Sequence, residues 1–329
     1  MRIQLGALTL ALTLAAGGVS AKDFQPAIIF DMGGKFDKSF NEAAYNGAEK
    51  FKKETGLPYL EFEVTQEAQR EQAMERMVRK GADVVVVVGF AFATPLESIA
   101  KANPKTKFTI IDTVVDLPNV QSVTFKEEQG SFLVGMAGAM ASKTGKVGFV
   151  GGMDIPLIHN FQTGYEQGVK HVAPNDTVLV NYAGTTPAAW TDPTHGGELA
   201  ISQFDQGADV VYAAAGATGL GVLQAAADKD KLAIGVDSDQ DYLHPGHVLT
   251  SMVKRVDVAV YKAFKDAKDG TWKAGAQNLG LKEGGVDYAL DQYNRSLITP
   301  EMEAKLNEAK QAIIDGKLEV KNYYSTQKQ

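Results

Sequence analysis

Short runs of Val, Ile, Leu and Phe recur along the chain, separated by longer stretches in which apolar residues return at helical spacing. The runs predict strands at 27–30, 60–64, 83–88, 108–112, 120–125, 146–150, 177–182, 209–214, 232–236, 248–253 and 286–290. Most are continuous rather than alternating, as expected of strands covered on both faces. Helical spacing predicts helices over 41–54, 67–80, 127–141, 257–269 and 300–315. The last opens on Pro300 and stops at Gly316, the usual start and stop asymmetry. This alternation predicts an α/β protein with parallel sheets and right-handed crossovers.

One pattern occurs twice. Lys80-Gly81-Ala82-Asp83-Val84-Val85 returns as Gln206-Gly207-Ala208-Asp209-Val210-Val211, 126 residues later. Each copy closes a helix, turns on Gly and opens a buried strand. The turn is a common one, so chance and two similarly wound lobes fit it equally. Two Rossmann-like, doubly wound lobes are expected, the first from 22–125 plus 253–285, the second from 126–252 plus 286–329. The absence of a long Gly/Ser or Pro linker implies several crossings, placed near 120–125, 248–254 and 284–289. The polar tail after Val320 is expected on the surface.

Composition narrows the class. A chain of 329 residues with 44% hydrophobic content can bury a large core. A net charge of −7 argues against a general nucleic-acid binder, which needs clustered Lys and Arg. Residues 1–21 read as a secretory signal peptide: Arg2, then the apolar run 5–16, then small residues at Val19-Ser20-Ala21. The run is too short for a membrane span, which needs about 20 apolar residues. The mature chain is expected to start at Lys22. The sequence contains no Cys, hence no disulfide and no lipidated cysteine, and an unlipidated periplasmic location is expected.

Catalytic motifs are scarce. Without Cys there is no thiol chemistry, and neither a G-x-S-x-G elbow nor a G-x-x-x-x-G-K-[ST] loop occurs. His244-Pro245-Gly246-His247 reads as a solvated turn rather than a metal site, and neither metal nor cofactor is expected. Gly216-Ala217-Thr218-Gly219-Leu220-Gly221 reads as a tight strand-to-helix turn whose backbone donors suit a sugar hydroxyl.

Strand ends are more informative, because ligands of open α/β sheets sit beyond the carboxyl ends of the strands. Asp31, Asp112 and Asp237 follow predicted strands, Lys254 ends another, and Tyr212 lies in the strand before Gly216. One such carboxylate is often a helix cap; three with a lysine point to a site. In the loop 31–41, Ser39 or Asn41 is placed to cap the next helix. Phe40 is either an aromatic platform for a flat ligand or a hydrophobic staple.

Taken together, the blocks DMGGKFDKSFNEAAYNG at 31–47, EEQGSFLVG at 127–135 and GFVGGMDIPLIHNFQTGYEQG at 148–168 resemble the basic membrane protein family of solute-binding proteins, a group that includes purine nucleoside receptors. AAAGATGLGV at 213–222, GVDSDQ at 235–240 and SMVKRVD at 251–257 complete the resemblance. It implies a type I periplasmic-binding-protein fold with a three-strand hinge. It also implies a monomeric component of an ABC importer that docks on a membrane permease after closing on a small molecule. By this resemblance Phe40 and Tyr212 sandwich a base, Asn41, Asp237 and Lys254 face a sugar, and Asp31 and Asp112 lie near the base. Trp190 and Asp192 fall in a second-lobe loop as further candidates. A nucleoside-processing enzyme and a ligand-presenting sensor are the alternatives.

Overall fold

The computed structural model describes residues 24–327. The expected signal peptide and the mature start at Lys22 lie outside the described residues. Two six-stranded sheets carry the architecture. The first contains β1 (Pro26–Phe30), β2 (Leu60–Glu63), β3 (Val84–Val87), β4 (Lys107–Ile111), β5 (Val120–Phe125) and β11 (Gly275–Leu279). Its order is β11-β5-β4-β3-β1-β2, with every pairing parallel. The second contains β6 (Lys146–Met153), β7 (Thr177–Gly184), β8 (Val210–Ala214), β9 (Leu232–Asp237), β10 (Val248–Lys254) and β12 (Val286–Tyr288). Its order is β12-β10-β9-β8-β6-β7, parallel except for β12, which runs antiparallel to β10.

The continuous apolar strands are divided between two helical layers by simple alternation. In the first sheet Ile28, Phe30, Val84 and Val86 share a core with α1 (Phe40–Thr55) and α8 (Val256–Asp269). Ala27, Ile29, Val85 and Val87 face α2 (Gln69–Arg79) and α3 (Ala93–Ala102) instead. In the second sheet Phe149, Val210, Tyr212 and Ile234 pack toward α4 (Glu127–Ala141), α5 (Pro156–Val172) and α9 (Pro300–Ile314). Val150, Val211 and Ala213 pack toward α6 (Pro193–Asp205) and α7 (Gly219–Asp228). No described helix is long and apolar enough to cross a membrane.

The chain passes between the sheets at three places: after β5, after β10 and after β11. These passages are stitched together. Lys126 N–H donates to Leu279 O at 3.0 Å, and Arg255 N–H donates to Gly285 O at 2.8 Å. The strand β11 has no apolar signal, since GAQNL is mostly exposed. Its pairing with β5 comes from the crossover, which delivers it to the sheet edge. The tail after Val320 is tied down as well as surface-lying. Lys321 and Gln167 exchange two hydrogen bonds, and Tyr323 N–H, opening α10 (Tyr323–Thr326), donates to Asn160 Oδ1 at 3.0 Å.

Helices α3, α5 and α6 lie where the pattern predicts none, while α7 opens at the strand-to-helix turn read at 216–221. Glycine interrupts the apolar spacing of α5 and α6. On α5, a Cβ at Gly164 would stand 2.2 Å from Glu128 O, and one at Gly168 would stand 2.0 Å from Phe132 O. These glycines let α5 lie against the backbone of α4. On an exposed helix, Gly→Ala gains about 1 kcal/mol of propensity. Here the overlap reverses the sign. Gly168→Ala should lower stability by about 1–3 kcal/mol in urea unfolding.

Candidate functional site: the cleft between the sheets

The carboxyl ends of both sheets face a cleft of about 680 Å³, solvent-open space included. Phe40 and Phe90 line it from the first lobe, Phe161 and Trp190 from the second. Asp31, Asn41, Asp112, Asp237 and Lys254 supply its polar groups. Six of the seven residues expected at a site are therefore brought together.

Tyr212 is not. It sits in the middle of β8, completely buried, and strand alternation turns it toward α4 and α5. Its ring lies 5.2 Å from that of Tyr165 and 5.5 Å from that of Phe149, and its hydroxyl meets Ser131 Oγ at 3.3 Å. Only the strand end, Ala214-Ala215-Gly216, reaches the cleft. The rings that the second lobe does bring to the cleft are Phe161 and Trp190. The Trp190 indole packs against β6, where a Cβ on Gly152 would come within 2.1 Å of it. Thr218 fixes the loop from behind: its Oγ1 donates to Ala189 O at 2.7 Å and accepts from Asp192 N–H at 2.9 Å. Asp192 itself caps α6, accepting from His195 N–H at 2.9 Å.

The cap of α1 also differs from expectation. Asp37, not Ser39 or Asn41, accepts the free N–H groups, from Ser39, Asn41 and Glu42 at 2.9–3.0 Å. This releases Ser39 and Asn41 for the cleft. Ser39 Oγ crosses to the second lobe and donates to Asp237 Oδ2 at 2.5 Å. Ser238 Oγ donates to Ser39 O at 2.8 Å, and Gln240 Nε2 donates to Lys38 O at 3.0 Å. Three hydrogen bonds thus join the loop before α1 to the end of β9 and the residues after it. Lys38 and Asp237 both hold left-handed backbone angles, φ 61° and 65°, and Asp112 holds another at 71°. Non-glycine residues in that region carry strain, which commonly marks a functional position.

Lys254 lies beneath the cleft, only 2% exposed. Its Nζ meets Asp112 Oδ2 at 2.7 Å and Glu127 Oε1 at 3.2 Å. The rings of Phe125, Phe40 and Phe161 surround the ammonium at 5.1–5.4 Å. Burial works against its charge, but Asp112, Glu127 and Asp237 together outweigh it and hold the lysine pKa above its ordinary value. Burial also pushes Asp112 and Glu127 up, against the pull of Lys254. Asp237 is pushed up by burial to about 7. One ammonium serves three carboxyl groups, so acceptors exceed donors here. Asn41 Oδ1 and Asp112 Oδ1 are buried with no hydrogen-bond partner in the protein. Buried acceptors of this kind call for donors.

Two α/β lobes, joined by three passages and meeting over a cleft that both line, define a protein that holds a small solute between its halves. The chain belongs to the PnrA-like family of ABC transporter substrate-binding proteins, whose family model matches residues 24–322. It is 36% identical to a CD4+ T-cell-stimulating antigen of Listeria monocytogenes, over 92% of this chain and 89% of that one. It is 34% identical to the ABC transporter nucleoside-binding protein BmpA of Lactococcus lactis, over 93% and 92%. Among solved structures, an ABC transporter solute-binding protein of Aeropyrum pernix superposes with a TM-score of 0.82 at 30% identity, covering 90% of this chain and 93% of that one. The fold is the two-lobed type I periplasmic-binding fold.

Two predictions follow from this geometry. Tyr212→Phe should cost about 1 kcal/mol, the worth of its hydrogen bond, in chemical denaturation, and leave ligand affinity unchanged in calorimetry. A tenfold loss of affinity would return Tyr212 to the site. The second concerns pH. An acid whose folded-state pKa exceeds its unfolded value of 3.8 favours the folded state while protonated, and that contribution disappears as pH rises to about 7. Unfolding free energy should therefore fall between about pH 4 and pH 7, and Asp237→Asn should make the fall shallower.

Proposed function

We propose that the chain is the periplasmic solute-binding component of an ABC importer and captures a purine nucleoside or related nucleobase by hinge closure, without chemical conversion. The observation that carries this reading is the pairing of aromatic rings from both lobes with an excess of buried acceptors. A neutral, flat heterocycle fills the space between Phe40 and Trp190. Sugar hydroxyls and ring N–H groups donate to Asn41, Asp112 and Asp237. The name of the Lactococcus lactis relative, a nucleoside-binding protein, supports the same ligand class. Binding begins on one lobe and closure adds the contacts of the other, so the ligand favours the closed form by its differential affinity. The closed, monomeric protein then docks on its permease. A relative in Pyrococcus horikoshii is described as a lipoprotein. The absence of Cys in this sequence supports a protein that is exported without lipid.

Titration calorimetry with nucleosides, free bases and sugars tests the proposal. One purine nucleoside should bind at a single site per chain and be recovered unchanged. Phe40→Ala should weaken it at least about tenfold and, because the ring also packs on the core and beside Lys254, should lower the unfolding midpoint modestly. Binding of sugars alone, or conversion of the nucleoside, would overturn the reading. Lys254→Ala is a poor probe, because it strands Asp112 and Glu127 as buried charges and costs about 3–5 kcal/mol of stability.

A further inference from the structure

Asp31 follows β1 and faces the first-lobe side of the cleft. Its partner is Arg70, in the first turn of α2, a residue that no sequence signal marks. Arg70 Nε donates to Asp31 Oδ1 at 3.0 Å, and Nη2 meets the same oxygen at 2.9 Å. The arginine side chain is 8% exposed. Its guanidinium carbon stands 5.7 Å from the centre of the Phe92 ring, which is completely buried. Glu67 approaches it only at 3.9 Å and is mostly exposed, so Asp31 is the principal anion it serves.

Both guanidinium contacts fall on one carboxylate oxygen. The other, Oδ2, lies against Gly89, where a Cβ would come within 3.1 Å of it. Gly89 holds φ +119°, a conformation open to glycine, so backbone rather than side chain borders Oδ2. Gly89 and Phe90 line this same end of the cleft.

We infer that Arg70 is a positioning residue that sets the hydrogen-bond polarity of this end of the cleft, so that a flat heterocycle enters with an N–H edge toward Asp31 Oδ2. The inference rests on the nucleoside reading above and adds which ring edges are accepted. Burial raises the pKa of Asp31, and the Arg70 charge pulls it back toward the ionised form. An ionised carboxylate accepts and cannot donate. A ring edge bearing N–H is then satisfied. An edge with lone pairs alone faces an anion and leaves a buried acceptor unpaired, which sites of this kind reject strongly. Lysine at position 70 keeps the charge but loses the planar fork that delivers two contacts to one oxygen.

The test uses the purified protein and three ligands with the same sugar and ring system: inosine, adenosine and purine riboside. Inosine carries a ring N–H, adenosine carries an exocyclic amine, and purine riboside has no N–H on its six-membered ring. Calorimetry of the wild type should show inosine or adenosine bound at least about tenfold more tightly than purine riboside. Arg70→Met should bring that ratio to within about twofold, chiefly by losing the tighter ligand, and Arg70→Lys should retain part of it. Asp31→Asn gives a reading independent of how Arg70 supports the fold. Its amide supplies a donor, so the preference should shift toward purine riboside. An unchanged ratio in Arg70→Met, or an equal loss for all three ligands, would overturn the inference and leave the nucleoside reading intact. If the wild type binds none of the three, both fall together.

Discussion

The buried ammonium of Lys254 is the constraint on which the rest of the molecule turns. It ends a strand of the second sheet, yet pairs with Asp112 at the end of β4 in the first and with Glu127 at the head of α4. Taking these groups out of water costs several kcal/mol per ion, and their attraction offsets this only when the geometry is held closely. The surrounding rings and the three chain passages supply that rigidity. The ion cluster therefore ties the end of β4 in one sheet, the end of β10 in the other and the head of α4 to one another beneath the cleft.

Between the loop before α1 and the end of β9 the contacts are of another kind. Ser39, Ser238 and Gln240 form neutral or singly charged hydrogen bonds, each contributing about 1 kcal/mol net, more where a carboxylate takes part. The left-handed backbone at Lys38, Asp112 and Asp237 is held in place among these contacts. In the proposed closure the ligand shifts the population by its differential affinity for the closed form.

Much of this was legible in the sequence. The apolar runs located eleven strands because fully covered strands have little freedom in composition. The polar residues at strand ends marked four cleft residues, Asp31, Asp112, Asp237 and Lys254, because open α/β sheets place ligands there, while Phe40 and Asn41 came from the loop 31–41 and the family resemblance. What the pattern concealed has two physical sources. Glycines within α5 and α6 interrupt the apolar spacing, although they mark places where helix backbones meet other backbone closely. Tyr212 misses the cleft because a strand alternates. An aromatic residue two positions before the strand end points into the core, and the second-lobe rings at the cleft are those of Phe161 and Trp190. Arg70 was invisible for a different reason: its partner lies 39 residues away and its setting is formed only by the fold.

The charge balance of the cleft also bears on which solutes suit it. Lys254 is already shared by Asp112 and Glu127, and Arg70 is directed at Asp31. A phosphorylated ligand would bring further negative charge among Asp31, Asp112 and Asp237 without a free cation to meet it, at a cost that low local polarity magnifies. Hydroxyl and N–H groups carry no such penalty and satisfy the unpaired acceptors Asn41 Oδ1 and Asp112 Oδ1. The same surplus of acceptors that calls for donors therefore favours uncharged, donor-rich solutes over their phosphate esters.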